Sequence, residues 1–419
     1  MTLDNEIPPD SLIASHAIFT HDPAAESVFA PLRREDPLHR TNAPGHPEFW
    51  AVTKHSDIVE IGKSPQIYLN APMAFLPSND ELAKTKEETG TNNYIRALTH
   101  MDAPDHRVYR GVTQSWFMPA NLKRLDETIK AVVGEMLDRM ASRDGQCDFA
   151  NDIAPWLPLR VIMRLLGVPE SDHPYVLKLT QELLAPEDPD QKRTTSTGPR
   201  SVRAQVFQDF YDYFKVIVES RRKNPTDDLS SVIANMRIDG NAAPELETLS
   251  YFVTLATAGH DTTYATLAGG LLELLRNPAQ LAILRADTAS ISTAAEEMFR
   301  WVSPIKHFVR TASTDTVLRG KTIRAGDHLM LCFPSANRDE EAFDSPSKFR
   351  VVRTPNRHLA FGSGVHSCLG QHLARFEVRA FFAEFVRRVK KVELDGDFEY
   401  VQSNRASGPK QMPIRYSFN

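Results

Sequence analysis

The sequence predicts a mainly α fold with small β-sheets at one side (α+β), on three observations. From Pro119 to Asp144, apolar residues at Leu122, Leu125, Ile129, Val133, Met136, Leu137 and Met140 recur at helical spacing over several turns. The most apolar stretch, Tyr251 to Leu275, is long enough to span a bilayer but holds His260, Asp261 and Glu273, so it reads as a helix buried in protein. Strand-like runs are short and few.

Residues 1 to 70 read as mixed, with Phe49 to Thr53 as a strand followed by a helix near Ser56 to Gly62. Further helices are expected at Pro155 to Leu166, Pro174 to Leu184, Val202 to Lys223, Leu229 to Asn235, Leu246 to Arg276, Pro278 to Asp287, Ser292 to Trp301 and Gln371 to Lys390. Pro169, Pro225 and Pro278 sit where helices should stop or start. Strands are expected only at Val309 to Ala312, Thr316 to Arg319, His328 to Cys332 and Ile414 to Phe418, with Gly320 turning a hairpin between Leu318 and Ile323. The stretch Ala185 to Ser201, rich in Pro, Asp, Thr and Ser, reads as a solvated loop joining two helices, of a length found in lids as well as in plain connections. No repeat or linker divides the chain, so residues 1–419 are read as one domain.

With 41% hydrophobic and 25% charged residues in 419, the composition is that of a soluble globular protein. A net charge of −5 argues against a general nucleic-acid or anionic-membrane partner. Cys147, Cys332 and Cys368 form no Cys-x-x-Cys pair, which fits a reducing cytosol rather than zinc or a disulfide framework. Met1 to Asp10 has neither a basic nor an apolar signal region, so a cytoplasmic protein without a membrane anchor is expected.

Two segments carry chemistry. Phe361-Gly362-Ser363-Gly364-Val365-His366-Ser367-Cys368-Leu369-Gly370 places one cysteine in a glycine-hinged loop opening onto a helix, where partial positive charge favours the metal-binding thiolate. Gly362 and Gly364 would permit a tight turn and let a flat ligand approach the backbone, and Gly370 would keep the first helical turn clear. Phe361 would shield the sulfur, and His366 would offer an N–H to an anionic group of the same ligand. In the long helix, Ala258-Gly259-His260-Asp261-Thr262-Thr263 contains residues costing roughly 0.5–1 kcal/mol each against alanine or leucine. Gly259 would admit a small ligand to the backbone, and threonine can bond back to a carbonyl and open the helix locally.

The cysteine loop matches Phe-Gly-x-Gly-x-His-x-Cys-x-Gly and resembles cytochrome P450, a likeness running from Trp50-Ala51-Val52-Thr53-Lys54 to the tail. The resemblance implies haem b (iron protoporphyrin IX) between the long central helix and the cysteine-loop helix, with Cys368 as the axial iron ligand. It implies that His106, Arg110, Arg310 and His366 hold the propionates, and that Phe361, Gly364 and Gly370 complete the cofactor loop. Asp261 and Thr262 would be the acid–alcohol pair, Thr262 hydrogen-bonding dioxygen and Asp261 passing protons inward. His260 reads as satisfying a local hydrogen bond. Glu297, Arg300 and Arg353 would form a structural Glu-Arg-Arg triad, and the segment around Ala185 to Ser201 would roof the substrate cavity.

The implied activity is O2-dependent hydroxylation of a compact hydrophobic molecule. Leu179-Thr180-Gln181, Ala256 to Thr263, Pro334 to Glu341 and Pro355 to Leu359 look like the bacterial terpineol-hydroxylating branch, leaving terpenoid, aromatic hydrocarbon and alkyl substrates open. Leu255, Ala258, His307 and Met412 are expected to line the substrate space, with Met73, Phe75 and Leu76. His307 stands where a small or apolar residue is common in the family, so it is expected either to hydrogen-bond a substrate hydroxyl or to turn toward a propionate. The chain has no flavin or nicotinamide fingerprint and no iron–sulfur cysteines. An iron–sulfur ferredoxin with its NAD(P)H-dependent reductase is therefore the expected electron source, docking on Arg107, Lys123, Arg124, Arg375 and Arg379 of a monomer. Two other readings share the cysteine loop: a peroxide-driven peroxygenase, against which Asp261 and Thr262 speak, and a non-catalytic haem-thiolate sensor, for which no output domain is visible.

Overall fold

A computed structural model describes residues 9–19, 22–194 and 200–419. Helices appear close to their expected bounds at His55–Lys63, Trp156–Leu165, His173–Leu184, Val202–Lys223, Leu229–Ala234, Pro278–Ala286 and Ile291–Val302. Pro278 opens its helix at the position where a missing N–H costs nothing. The stretch Pro119 to Asp144 divides into Pro119–Leu122, a tight 3-10 turn over Lys123–Leu125, and Asp126–Ala141, whose first turn carries Asp126 and Glu127 against the positive helix end. The main core gathers the apolar faces of these helices, including the fully buried Phe210, Phe214, Phe252, Phe381, Phe382 and Phe385. Each buried phenyl contributes roughly 1.5–3 kcal/mol of transfer free energy.

At one side lies a five-stranded sheet in the spatial order Leu38–Thr41, Phe49–Val52, His328–Cys332, His307–Ala312 and Tyr68–Leu69. His328–Cys332 is parallel to Phe49–Val52 and antiparallel to His307–Ala312, with Cys332 opposite His307. The hairpin about Gly320 forms as expected, pairing Thr316–Leu318 with Lys321–Ile323.

Strands are more numerous than the sequence reading allowed. Val389–Leu394 pairs with Pro413–Phe418, which also holds Gln146–Asp148, so the cysteine helix stops at Arg388 instead of Lys390. Nothing in Arg387-Arg388-Val389-Lys390 breaks a helix locally; pairing with the distant tail decides the change. Helix Asn79–Thr89 was missed because it has no apolar face, although Ser78 caps it through Glu81 N at 3.1 Å, a serine–glutamate capping signal. The Ala185 to Ser201 stretch is not simply solvated. Asp188 is fully buried and accepts from Lys410 Nζ at 3.2 Å and Gln402 N at 2.8 Å. Residues 195–199 lie outside the described residues. Among the described residues no helix is long and apolar enough to cross a membrane.

Candidate active site

The cysteine loop is a built turn. Leu359 N donates to Asn337 Oδ1 (2.7 Å), Gly362 N to Leu359 O (2.9 Å), Ser367 N to Gly364 O (3.1 Å) and Cys368 N to Phe361 O (2.8 Å). Gly364 has φ +69, and a Cβ there would come within 1.8 Å of the Gly62 carbonyl oxygen. The missing side chain at Gly364 lets the loop lie against helix His55–Lys63. The Cys368 side chain has accessible surface although protein surrounds it, so that surface faces an internal space. Burial pushes the thiol up, while the N–H groups of Gly370 and Gln371, with Arg110 and Arg375, oppose the rise. The helix terminus acts in the expected direction, but in the bare protein desolvation exceeds it.

Beneath the loop, Glu297 is fully buried and takes Arg300 through two bonds of 2.8 Å, Arg353 Nε at 2.9 Å and Asn356 Nδ2 at 3.1 Å. Arg300 also donates to the Asn337 carbonyl at 2.7 Å, and Asn337 is the residue that anchors Leu359. The triad thus reaches the loop through one asparagine. Sequence reasoning missed Glu296 beside it. Glu296 binds His358 Nε2 at 3.1 Å and Arg375 Nε at 2.8 Å, and Arg375 lies 4.3 Å over the Phe361 ring. Burial would raise the Glu296 carboxyl, but His358 and Arg375 hold it down at about 2. Arg375 is accordingly half-buried and committed to the loop, not free in a docking face as expected. Arg379 is half-buried too, donating to Arg375 O at 2.9 Å.

Four cationic or imidazole groups meet above the loop. The rings of His106 and His366 are 3.9 Å apart, and the charges of His106, Arg310 and Arg110 all bear on His366, whose pKa burial and those charges push down to about 3. Burial also lowers Arg310 to about 10; Asp102, whose charge opposes that fall, is already bound by the N–H groups of Asn70 and Ala71. His106 Nε2 is buried with no hydrogen-bond partner. Such an uncompensated cluster costs free energy until an anion enters. Haem fits this test, since its two carboxylates would meet the arginines and the orphaned imidazole nitrogen while Cys368 would take the iron.

The long helix is two helices, Glu245–Ala258 and Asp261–Arg276, broken at Gly259 and His260, the latter with φ −122 and ψ −42. The break is where the polar run predicted it, but Gly259 serves packing: a Cβ would strike Ile162 Cγ1 and the Leu255 carbonyl, each at 2.6 Å. That corrects its reading as a ligand contact. His260 is buried, with Nδ1 2.9 Å from Ala256 O, in keeping with a local hydrogen bond. Ala258 is exposed and Asp261 and Thr262 half-exposed in the middle of the fold. Asp261 lies deep among protein atoms, so this surface too is internal, and burial pushes its carboxyl up to about 7. Thr262 Oγ1 donates to Ala258 O at 3.3 Å. Helix Asp261–Arg276 packs on the cysteine helix.

The expected substrate residues divide. Met412 is fully buried in the main core and Leu255 is buried there as well, so of that group Ala258 alone is exposed. Met73 and Leu76 are buried in a second core, while Phe75 is half-buried with its ring 4.8 Å from Phe308. His307 takes neither expected role. Its Nδ1 donates to Asn404 O at 2.8 Å, its Nε2 accepts from Leu76 N at 3.0 Å, and burial pushes its pKa down to about 3. Strand alternation puts it on the face opposite Arg310, away from the cationic cluster. Phe308, which shares the face of Arg310, is half-buried.

A family model for cytochrome P450 matches residues 291–397, which span Glu297, Arg300, Arg353 and the whole cysteine loop. The chain is 41% identical over 406 residues to cytochrome P450-terp of Pseudomonas sp, covering 95% of each. The crystal structure of CYP108D1 from Novosphingobium aromaticivorans superposes with a TM-score of 0.90 at 37% identity, covering 98% of both chains. Mycobacterium marinum cytochrome P450 CYP268A2, in complex with pseudoionone, gives 0.88 at 32% identity, covering 98% of this chain and 100% of that one. On these identities and coverages, the chain belongs to the cytochrome P450 family of haem-dependent monooxygenases.

Proposed function

We propose that this single-domain, cytoplasmic, monomeric P450 hydroxylates a compact hydrophobic molecule, a terpenoid or aromatic hydrocarbon, with electrons from a ferredoxin and its reductase. One observation carries the catalytic part: Asp261 is a deep carboxyl, pushed up to about 7 by burial, one residue from the Thr262 hydroxyl and beside internal surface at Ala258. A carboxyl poised near neutrality can hold a proton and give it up without a large penalty.

When bound, haem would supply the activation of O2. The chain's part is to hold and feed that chemistry. Cys368 would hold the haem iron through its sulfur, His106, Arg110, Arg310 and His366 would neutralise the propionates, and the Glu297 network would keep the loop rigid through Asn337. Thr262 would turn its hydroxyl from the Ala258 carbonyl toward oxygen, and Asp261 would move protons to that hydroxyl.

The substrate class rests on the likeness to P450-terp, on the pseudoionone held by the Mycobacterium marinum relative, and on apolar surface at Ala258 and Phe308. Exposed Arg107, Lys123 and Arg124, interleaved with exposed Val108, Met118 and Val365, support a ferredoxin docking face next to the cysteine loop. The test is turnover of a monoterpene and an alkylbenzene panel with ferredoxin, reductase and NADH, against the same panel with peroxide. Product in the first arm and none in the second is expected; product from peroxide alone would replace this reading with the peroxygenase one.

A further inference from the structure

Both ring nitrogens of the buried His307 are engaged by backbone groups of other chain segments. Three chain segments cross at it. The segment Met73 to Leu76 is held to strand His307–Ala312 by Val309 N donating to Ala74 O at 2.8 Å, then by Leu76 N donating to His307 Nε2 at 3.0 Å. From the other side comes the tail, with Lys306 N donating to Arg405 O at 2.9 Å, Ser407 N to Pro304 O at 3.0 Å and His307 Nδ1 to Asn404 O at 2.8 Å. The Phe75 ring meets the imidazole edge-on at 5.8 Å and Phe308 at 4.8 Å, so the imidazole also fixes an aromatic beside the internal space. Arg310 of the cationic cluster lies on the same strand, three residues and about 10 Å away at ~3.3 Å per residue.

Backbone pairing alone would leave the Leu76 N–H and the Asn404 carbonyl without partners at this crossing. Only a neutral imidazole with its proton on Nδ1 donates to one and accepts from the other at once. A second link joins the tail to the helix Asn79–Thr89 that follows this segment, where Arg405 Nη2 binds Glu81 at 2.6 and 2.8 Å and Glu81 also takes Arg203 of the helix Val202–Lys223 at 3.1 Å. The His307 link is uncharged and the Arg405–Glu81 link ionic.

We infer that His307 is a positioning residue that sets the width of the substrate space by tying the Met73–Leu76 segment to the tail at Asn404, and so determines which carbon of the substrate is presented. It contacts no substrate itself. The claim about selectivity rests on the monooxygenase reading above; the brace does not.

The experiment uses the holoenzyme and three variants. His307→Phe keeps the ring volume and the contact with Phe75 while removing both hydrogen bonds; His307→Gln can restore an acceptor for Leu76, and His307→Asn a donor for Asn404. Amide hydrogen exchange at Leu76 should quicken about tenfold in His307→Phe and recover in His307→Gln, as for loss of one net hydrogen bond. With α-terpineol as probe, His307→Phe should weaken the ferric spin-state shift about tenfold and turn one dominant alcohol into a mixture, with the thiolate-type reduced carbonyl band unchanged. His307→Gln and His307→Asn should each recover part of the product ratio. Unchanged exchange at Leu76 in His307→Phe would overturn the brace. Unchanged product ratios, or loss of the thiolate band in all three variants, would overturn the selectivity role. A wild type that shifts with no hydrophobic probe would instead overturn the substrate reading, and the exchange result would still decide the brace.

Discussion

Asp261 and Gly364 show how differently two residues of a site can be fixed. Asp261 is held by what surrounds it: burial keeps its proton to about pH 7, far above the ordinary carboxylate value. The linkage follows directly. The folded state binds a proton that the unfolded chain releases near 3.8, so this group's contribution is most favourable below that pH and is lost as pH rises toward 7. Asp261→Asn should therefore be more stable than wild type at pH 8, with the difference in melting temperature closing toward pH 4. In turnover the same substitution should cost about 100-fold or more and abolish the fall in rate above neutral pH, read from product formation across pH. Gly364 is fixed by what it lacks. Gly364→Ala puts a methyl group into the Gly62 carbonyl at positive φ, and should cost about 1–3 kcal/mol in urea unfolding as well as haem retention.

Among elements, helix Ile291–Val302 does most to keep the cysteine loop in place, because adjacent glutamates face two different parts of it. Glu297 gathers Arg300, Arg353 and Asn356, and Glu296 gathers His358 and Arg375. Glu297→Ala would leave two buried guanidinium groups without a counter-charge, and a loss of about 3–5 kcal/mol is expected in denaturant titration. Glu296→Gln keeps the volume and should loosen Arg375 from Phe361 at a smaller cost. The Glu297–Arg300 pair was legible from the Glu-x-x-Arg spacing, and Arg353 joined it only through the family resemblance, whereas Glu296 was not legible, since its partners lie more than 60 positions away and no local pattern points to them. The helix break at Gly259 was equally legible from its polar run, but the Ile162 side chain that demands the glycine belongs to another helix.

For the molecule as a whole, charge and proton balance divide between surface and interior. Glu377 on the cysteine helix is fully buried, neither carboxyl oxygen has a hydrogen-bond partner, and burial raises its pKa well above the usual 4.5. Burial favours its protonated form in the folded state, so its contribution is lost as pH rises through the raised folded value. Glu377→Gln should flatten the decline of stability at alkaline pH, as measured by thermal unfolding from pH 5 to 9. On the surface, reversing Arg107, Lys123 and Arg124 to glutamate should slow reduction by an acidic ferredoxin severalfold at low salt and little at high salt, as read by stopped-flow reduction.

The sequence by itself determined the local pieces: the cysteine loop with its helix, the break in the central helix, the Glu-Arg pair, and most helix bounds. These follow from turn residues, spacing and capping, which act over a few residues. Tertiary structure alone decided that Val389 leaves the helix for the tail strand, that Asp188 is buried on Lys410, that Met412 belongs to the core, and that both nitrogens of His307 are spent on backbone. In each case the deciding partner is remote along the chain, and burial against that partner outweighs whatever the neighbouring residues prefer.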